Sequence, residues 1–485
     1  MMNSNGVTRK LCCIGAALLM LWLHAYPQKI QYSRQNFRLP YSDGMQLVAD
    51  ISGFHHVLSF AVNQQPAIYI FDAQLQLHSK KVLQFTLRQS NDVKIIPFPG
   101  FYYLYIHQTG STKHELWRID PEGDRVALSE MFQQVIETSL NKNTATLQLV
   151  NKNNQLFIIG NTYYDAIEKI GSTVVQVDKN LKVEISKNVF YSFKLYEEQL
   201  KQLMLAGDDL LILKTANDSI GNSLQLIKAD LETGTLLTSF FYSGSNAYQG
   251  PAFRYNAIDS SIIIYSMIQS TVFITKLNHL LDQVEPITYL KKQFSKNVSD
   301  NFLLVNGKTP QWISVSNSNI RFRRNATSPY DRGFDNNIDQ TDAGRWDDYL
   351  SKMPQRQVSG AYRYNVNSNS IPAIRFSLLN AQFKLINDSI VANDKASYTL
   401  RSGQYANVML GKKSYLFLAQ TFFNKNHGLL MISENGGNYL SARDIRVFEK
   451  YEYLLPQLKA VNNEYVILPF TYKREVGLVK ITLDK

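Results

Sequence analysis

Short, nearly continuous apolar runs recur along the chain: "VLSFAV", "YYLYIH", "QLFIIG", "DLLILK", "SIIIYSM", "QWISVS", "SYLFLAQ" and "EYVILPF". Runs of this length, rich in β-branched and aromatic residues, predict strands buried on both faces. Each is followed by a second strand that ends on a small side chain able to hydrogen-bond its own turn: Asp72, Asp120, Asp178, Asp230, Asn278, Ser377, Ser433 and Thr482. The intervals between these residues are 48, 58, 52, 48, 99, 56 and 49, one spacing kept throughout and doubled once.

Upstream of each buried strand lies another, as in "MQLVAD", "VKIIPF" and "NFLLVN", and after the turn comes a more polar one, such as "LQLHSKKVLQF" or "DRVALS". Four antiparallel strands per repeat describe the blade of a β-propeller, and the spacing predicts eight blades, or seven if one repeat is irregular. The last repeat stops at "VKITLDK", a strand short, while residues 30–42, "IQYSRQNFRLPYS", precede the first full repeat without partners. An N-terminal strand that completes the last blade would close the ring and cover two open sheet edges. Two segments break the strand rhythm. "LSEMFQQVIETSLNK" at 128–142 and "YEEQLKQLML" at 196–205 space their apolar residues as helices do, which predicts two short helices lying over blades.

The repeat resembles the degenerate blades of exported bacterial propeller proteins, a likeness of fold that covers nearly the whole chain. It carries neither the Trp-Asp series of WD40 repeats nor the double glycine of kelch repeats. "SENGGNYL", 433–440, looks like a worn Asp-box of sialidases, with Asn435 in place of the Asp and Leu440 in place of the Trp; that box is a structural turn.

Composition adds a compartment. Arg9 and Lys10 precede the apolar run "LCCIGAALLMLWL", so residues 1–28 read as a secretory signal and 29–485 as one propeller domain, periplasmic or extracellular. Cys12 and Cys13 both fall in that signal, which leaves the exported chain without disulfides, thiolate metal sites or cysteine nucleophiles. The formal charge of +11 is scattered, not gathered into a stripe, so it suits acidic envelope surfaces and not nucleic acid. No second run is long enough to span a membrane, and the expectation is a monomer that is not an integral membrane protein once the signal is cleaved.

The doubled interval holds "RFRRNATSPYDRGFDNNIDQTDAGRWDDY", which places an insertion at about 318–368, between the second and third strands of the sixth blade. Arg321, Arg323, Arg324, Tyr330, Arg332 and Trp346 are its candidate ligand-binding residues, because guanidinium groups beside aromatic rings suit carboxylate-bearing sugars and acidic peptides. A basic strand end neutralised by the aspartates that follow is the plainer reading. Asp335, Asn337 and Asp339 stand at the first, third and fifth positions of a calcium loop, but Gln340 replaces the turn glycine and Trp346 the closing glutamate. No other cofactor is expected. "NDSI" occurs twice and resembles the O-glycosylation site of exported Bacteroidota proteins, which would make Ser219 and Ser389 exposed loop serines.

The expected function is therefore non-catalytic binding of a glycan, peptide or envelope partner through loops on one face. The alternative is a glycan-active hydrolase or lyase with carboxylates at the channel mouth. Catalytic residues cannot be assigned from the sequence: no HExxH, Gly-x-Ser-x-Gly or phosphate-cradling motif occurs. His55 and His56, adjacent on a strand, would point to opposite faces and so would not ligate one metal together.

Overall fold

The computed structural model describes residues 29–483 except 39–44, 61–64, 86–90, 109–112, 141–143, 219–220, 257–258, 269–270, 290–297, 306–310, 322–369, 381–383, 393–395, 399–404, 411–412, 423–425 and 436–438. Among the described residues the strands pair into eight separate antiparallel sheets. In chain order these are sheet 1 (45–82), sheet 2 (91–127), sheet 3 (144–192), sheet 4 (198–242), sheet 5 (248–289), sheet 6 (298–392), sheet 7 (396–445) and sheet 8 (452–482 with 30–38). Strands within each sheet mostly follow one another as neighbours, and sheets 1 to 5 stack in sequence, as do sheets 7 and 8, through shared apolar clusters. The chain is a β-propeller.

The first and last sheets also pack on each other. Val461, Tyr465, Ile467 and Leu478 of sheet 8 share one cluster with Leu47, Val57, Tyr69 and Phe71 of sheet 1. The N-terminal segment completes sheet 8: Ile30–Tyr32 pairs with 479–481 and Phe37–Arg38 with 475–476. Phe37 stacks on Tyr69 with ring centroids 3.6 Å apart, so this one segment belongs to both ends of the ring. Between its two pairing stretches, Ser33 and Asn36 ride over Gly477. A Cβ there would meet the Ser33 hydroxyl at 2.6 Å and the Phe470 ring at 2.5 Å.

Two faces result from this order. First-to-second and third-to-fourth strand connections leave one end, here the turn face. Second-to-third connections and the links between sheets leave the other, the loop face. On the turn face the third strand ends in an Asp or Asn whose Oδ1 accepts backbone N–H groups just ahead. Asp72 accepts from Gln74 and Gln76, Asp178 from Asn180 and Lys182, Asp230 from Glu232 and Thr233, and Asn278 from Leu280 and Asp282, all at 2.8–2.9 Å. Asp120 accepts from Asp124 at 2.7 Å.

Sheets 6 to 8 correct the sequence reading. In sheet 6 the capping residue is Asn380, whose Oδ1 takes the Lys384 N–H at 2.9 Å, whereas Ser377 lies inside a strand opposite Ser314 and Asp388. Ser433 is likewise within the strand His427–Asn435, opposite Tyr415 and Ser441. Thr482 ends its strand but turns nothing: its N–H goes to the Lys29 carbonyl, 3.0 Å away, because the next strand comes from the N-terminus.

The fourth turn position adopts positive φ. Gly occupies it at Gly123 (φ 78°), and in the longer turn of sheet 4 Gly234 (φ 73°) stands one residue later, but Leu75 (φ 60°), Leu181 (φ 58°) and Leu281 (φ 63°) take it as leucines. A left-handed leucine costs about 1–2 kcal/mol. Burying its side chain gives back about 1.5–3 kcal/mol, so burial wins by a small margin. All three are buried, each in the seam shared with the preceding sheet. At Gly123 the preceding sheet fills the space itself, with Ile70 Cδ1 2.5 Å from where a Cβ would stand.

One of the two expected helices forms. Helix α1, Ser129–Ser139, buries Phe132 and Val135 between sheets 2 and 3. The segment at 196–205 is instead largely the strand Glu198–Ala206, first of sheet 4. Its apolar residues satisfy either period, and the tight hairpin to Asp209–Asp218 decides for the strand.

Candidate functional site

Buried polar side chains among the described residues gather towards the loop face. Asn161 and Ser172 in sheet 3 share a 2.6 Å hydrogen bond, and Gln420 Nε2 in sheet 7 donates to Asp444 at 2.8 Å. Glu198 and Lys214 in sheet 4 form a buried ion pair at 2.7 Å, with side chains 8% and 2% exposed. This pair braces the link from sheet 3. Lys214 Nζ also donates to the Ser192 carbonyl at 2.7 Å, and Glu198 Oε2 accepts the Lys194 N–H at 3.1 Å. Burial lowers the Lys214 pKa despite the hydrogen bond and charge of Glu198. The braced loop turns Phe193 inward and leaves Leu195 half-exposed and Tyr196 96% exposed. A tyrosine held in water by a loop with its backbone tied on both sides contributes nothing to the core.

A two-residue connection on this face is the hairpin of sheet 8, where Tyr472 pairs with Glu475 across Lys473 and Arg474. Both connecting residues have positive φ, 49° and 69°. Two-residue turns of this kind favour Asn and Gly. On the turn face, hairpins that need the same conformation use Asn153–Asn154 (φ 52° and 61°) and Asn462–Asn463 (φ 47° and 56°). Lys and Arg have no such tolerance and cost about 1 kcal/mol each there. Both are exposed, and Lys473 Nζ sits 5.2 Å from the centroid of the Tyr472 ring. Neither side chain joins an ion pair among the described residues. The tip therefore presents two cations and an aromatic ring to solvent, a set that can grip a carboxylate.

Three histidines lie in seams. His55 and His56 do point to opposite faces: His55 meets Tyr465 of sheet 8, and His56 meets Tyr102 of sheet 2. His56 Nε2 donates to the Pro121 carbonyl at 2.8 Å, which leaves Nδ1 to accept from the Tyr102 hydroxyl at 3.3 Å. Nearer the loop face, His114 Nδ1 is 2.8 Å from the Tyr105 hydroxyl, and its ring stacks on His107. Burial pushes His55, His56 and His114 down to about 4, so all three are neutral in the fold at pH 7.

Two carboxylates on the turn face are held low by hydrogen bonds. The Thr233 and Glu232 amides hold Asp230 below its ordinary value. Burial works to raise Asp259, but hydrogen bonds from Ser261 and Lys276 outweigh it and keep the carboxyl low. Among the described residues no group of three or more His, Asp or Glu is arranged to hold a metal.

Of the candidates named from sequence, Arg321 ends the strand Gln311–Arg321 at the loop face and pairs with Ser370. Arg323, Arg324, Tyr330, Arg332, Asp335, Asn337, Asp339 and Trp346 lie outside the described residues, as does Ser219. Ser389 is not in a loop: it sits in the strand Leu385–Ala392 opposite Phe376. Sequence reasoning missed the Lys473–Arg474 tip and the Leu195–Tyr196 loop. The first left a readable trace, a basic pair where two strands of the last repeat meet; the second was hidden by the helical reading of 196–205.

No family profile matches the chain, and no curated protein does. Among solved structures it is similar to the propeller of Dos1, at 9% identity and a TM-score of 0.47 over 93% of this chain and 95% of that one. The WD40 domain of SCAP from fission yeast aligns at 7% identity and 0.41 over 94% of each chain. A member of the DUF4221 family from Bacteroides vulgatus aligns at 12% identity and 0.32 over 83% of this chain and all of that one.

Proposed function

We propose that this chain is an exported, non-catalytic β-propeller, one blade per sheet, that binds a carboxylate-bearing glycan or peptide of the cell envelope through its loop face. The observation that carries this reading is the Lys473–Arg474 tip, where two cations occupy a strained turn that Asn-Gly would fill more cheaply. Strain kept at an exposed tip implies use of the side chains themselves. Tyr472 beside them and the exposed Tyr196 on the same face supply flat surfaces for sugar rings or peptide planes. Arg321 also reaches this face, and the arginines and aromatics that follow it in sequence would extend the same chemistry.

A glycan hydrolase would need a pair of carboxyls with one kept protonated by burial. The two carboxyls with a resolved shift, Asp230 and Asp259, are both lowered, which gives that reading no support among the described residues. The test is an array of uronic-acid and sialic-acid glycans and acidic peptides, probed with the wild type and with the double substitution Lys473→Asn, Arg474→Gly. Binding to acidic members that the substitution abolishes supports the reading; equal binding by both proteins refutes it.

A further inference from the structure

Outer strands of propeller sheets are open edges, and an unprotected edge invites another strand. In this chain nearly every outer strand is guarded. Sheet 1 ends on "LHSKKV" with Lys80 and Lys81, sheet 3 on "VEISKNVFYS" with Glu184 and Lys187, and sheet 5 on "QVEPITY" with Glu285 and Pro286. Sheet 6 carries Asp388, sheet 7 Arg443 and Asp444, and the outer strands of sheets 2 and 8 are short pieces that include Arg125 and Arg38. Sheet 4 is the exception. Its outer strand Leu236–Tyr242, "LLTSFFY", has seven residues with neither charge nor proline, and no charged residue occurs between Glu232 and Arg254.

The strand has two distinct sides. Leu237 and Phe241 pack inward against sheet 5, and the Ser239 hydroxyl donates to the Leu281 carbonyl at 3.1 Å. Leu236, Thr238, Phe240 and Tyr242 face solvent, with Phe240 50% and Tyr242 58% exposed and their rings nearly parallel. Among the described residues nothing pairs with its outer edge.

We infer that this edge is a self-association site, at which a second copy of the chain pairs its own Leu236–Tyr242 antiparallel to the first. A two-fold axis at Ser239 sets Phe240 opposite the other copy's Thr238, and Tyr242 opposite its Leu236. Aromatic residues then face β-branched or aliphatic ones across the pair, a stabilising combination. Charge selects the occupant. An uncharged edge meets its own copy without like-charge repulsion, whereas a charged peptide would lay its charges beside a surface that offers them no counterpart. The isologous arrangement is self-limiting, because each copy uses the one outer strand that lacks charge and proline among the described residues. A two-strand interface is small, so the dimer is weak.

The experiment is sedimentation of the purified chain over about 1 to 200 µM, the range in which a small interface associates. The weight-average mass of the wild type should move from one chain towards two, and Thr238→Lys, on the exposed side, should hold it at one chain with an unchanged thermal midpoint. Ser239→Cys faces its own copy across the axis at a separation that suits a disulfide, so oxidation should yield a covalent dimer. Ile185→Cys, exposed on the outer strand of sheet 3, should not. A wild-type mass of one chain throughout, association that survives Thr238→Lys, or equal cross-linking at both cysteines overturns the inference.

Discussion

Leu181 offers a sharp test of how the turn face is built, because its backbone is strained while its side chain is buried in the seam between sheets 2 and 3. Leu181→Ala removes the buried atoms and keeps the left-handed conformation, with a loss of about 2–5 kcal/mol. Leu181→Gly removes the same atoms and one carbon more, but it releases about 1–2 kcal/mol of backbone strain. The glycine variant should therefore be the more stable of the two by about 1 kcal/mol, although both fall below wild type. Ordinary strand positions behave the other way. Leu213, buried in the strand Asp209–Asp218, should be less stable as Gly than as Ala by about 0.5–1 kcal/mol. Guanidinium unfolding followed by tryptophan fluorescence gives all four midpoints. A glycine variant at 181 that unfolds before the alanine variant would refute the argument that burial holds the leucine in its turn.

Acid should open the seams. His55, His56 and His114 are held near 4, so below the ordinary value of 6.5 the unfolded chain takes up protons that the fold refuses. Stability should fall as pH drops from about 6.5 to about 4 and level off below, by up to about 3 kcal/mol for each of His55 and His56 and by less for the half-buried His114, which solvent screens; His56→Gln should flatten part of the slope in urea titrations. Gly477→Ala should push the N-terminal segment off sheet 8, since a Cβ would stand 2.6 Å from the Ser33 hydroxyl, and limited proteolysis near residue 34 should become faster. Lys214→Met strands the Glu198 carboxylate and should cost about 3–5 kcal/mol, whereas Lys214→Met with Glu198→Leu should recover most of it; the readout is the thermal midpoint of each variant.

Much of the ring was legible because it rests on one repeated device. Asp72, Asp120, Asp178, Asp230 and Asn278 were each readable as turn caps. Ser377 was misread for Asn380 because both are small polar residues near a strand end, and only pairing register separates them. The strand Glu198–Ala206 was hidden because "EQLKQL" fits either period, and its strand state depends on the hairpin partner. The leucines at Leu75, Leu181 and Leu281 were invisible as turn residues: local rules assign positive φ to glycine, and burial against another sheet overrides them. For the same reason the Lys473–Arg474 tip could not be seen as strained until its dihedral angles were known.

The double substitution Lys473→Asn, Arg474→Gly bears most directly on the central claim, because stability and binding should move in opposite directions. It installs the favoured turn and should raise unfolding stability by about 1–2 kcal/mol. It also removes both cations from the loop face, and binding to acidic glycans or peptides on the array should be lost. A variant that gains stability and binds as wild type does would contradict the claim, and so would one that loses stability.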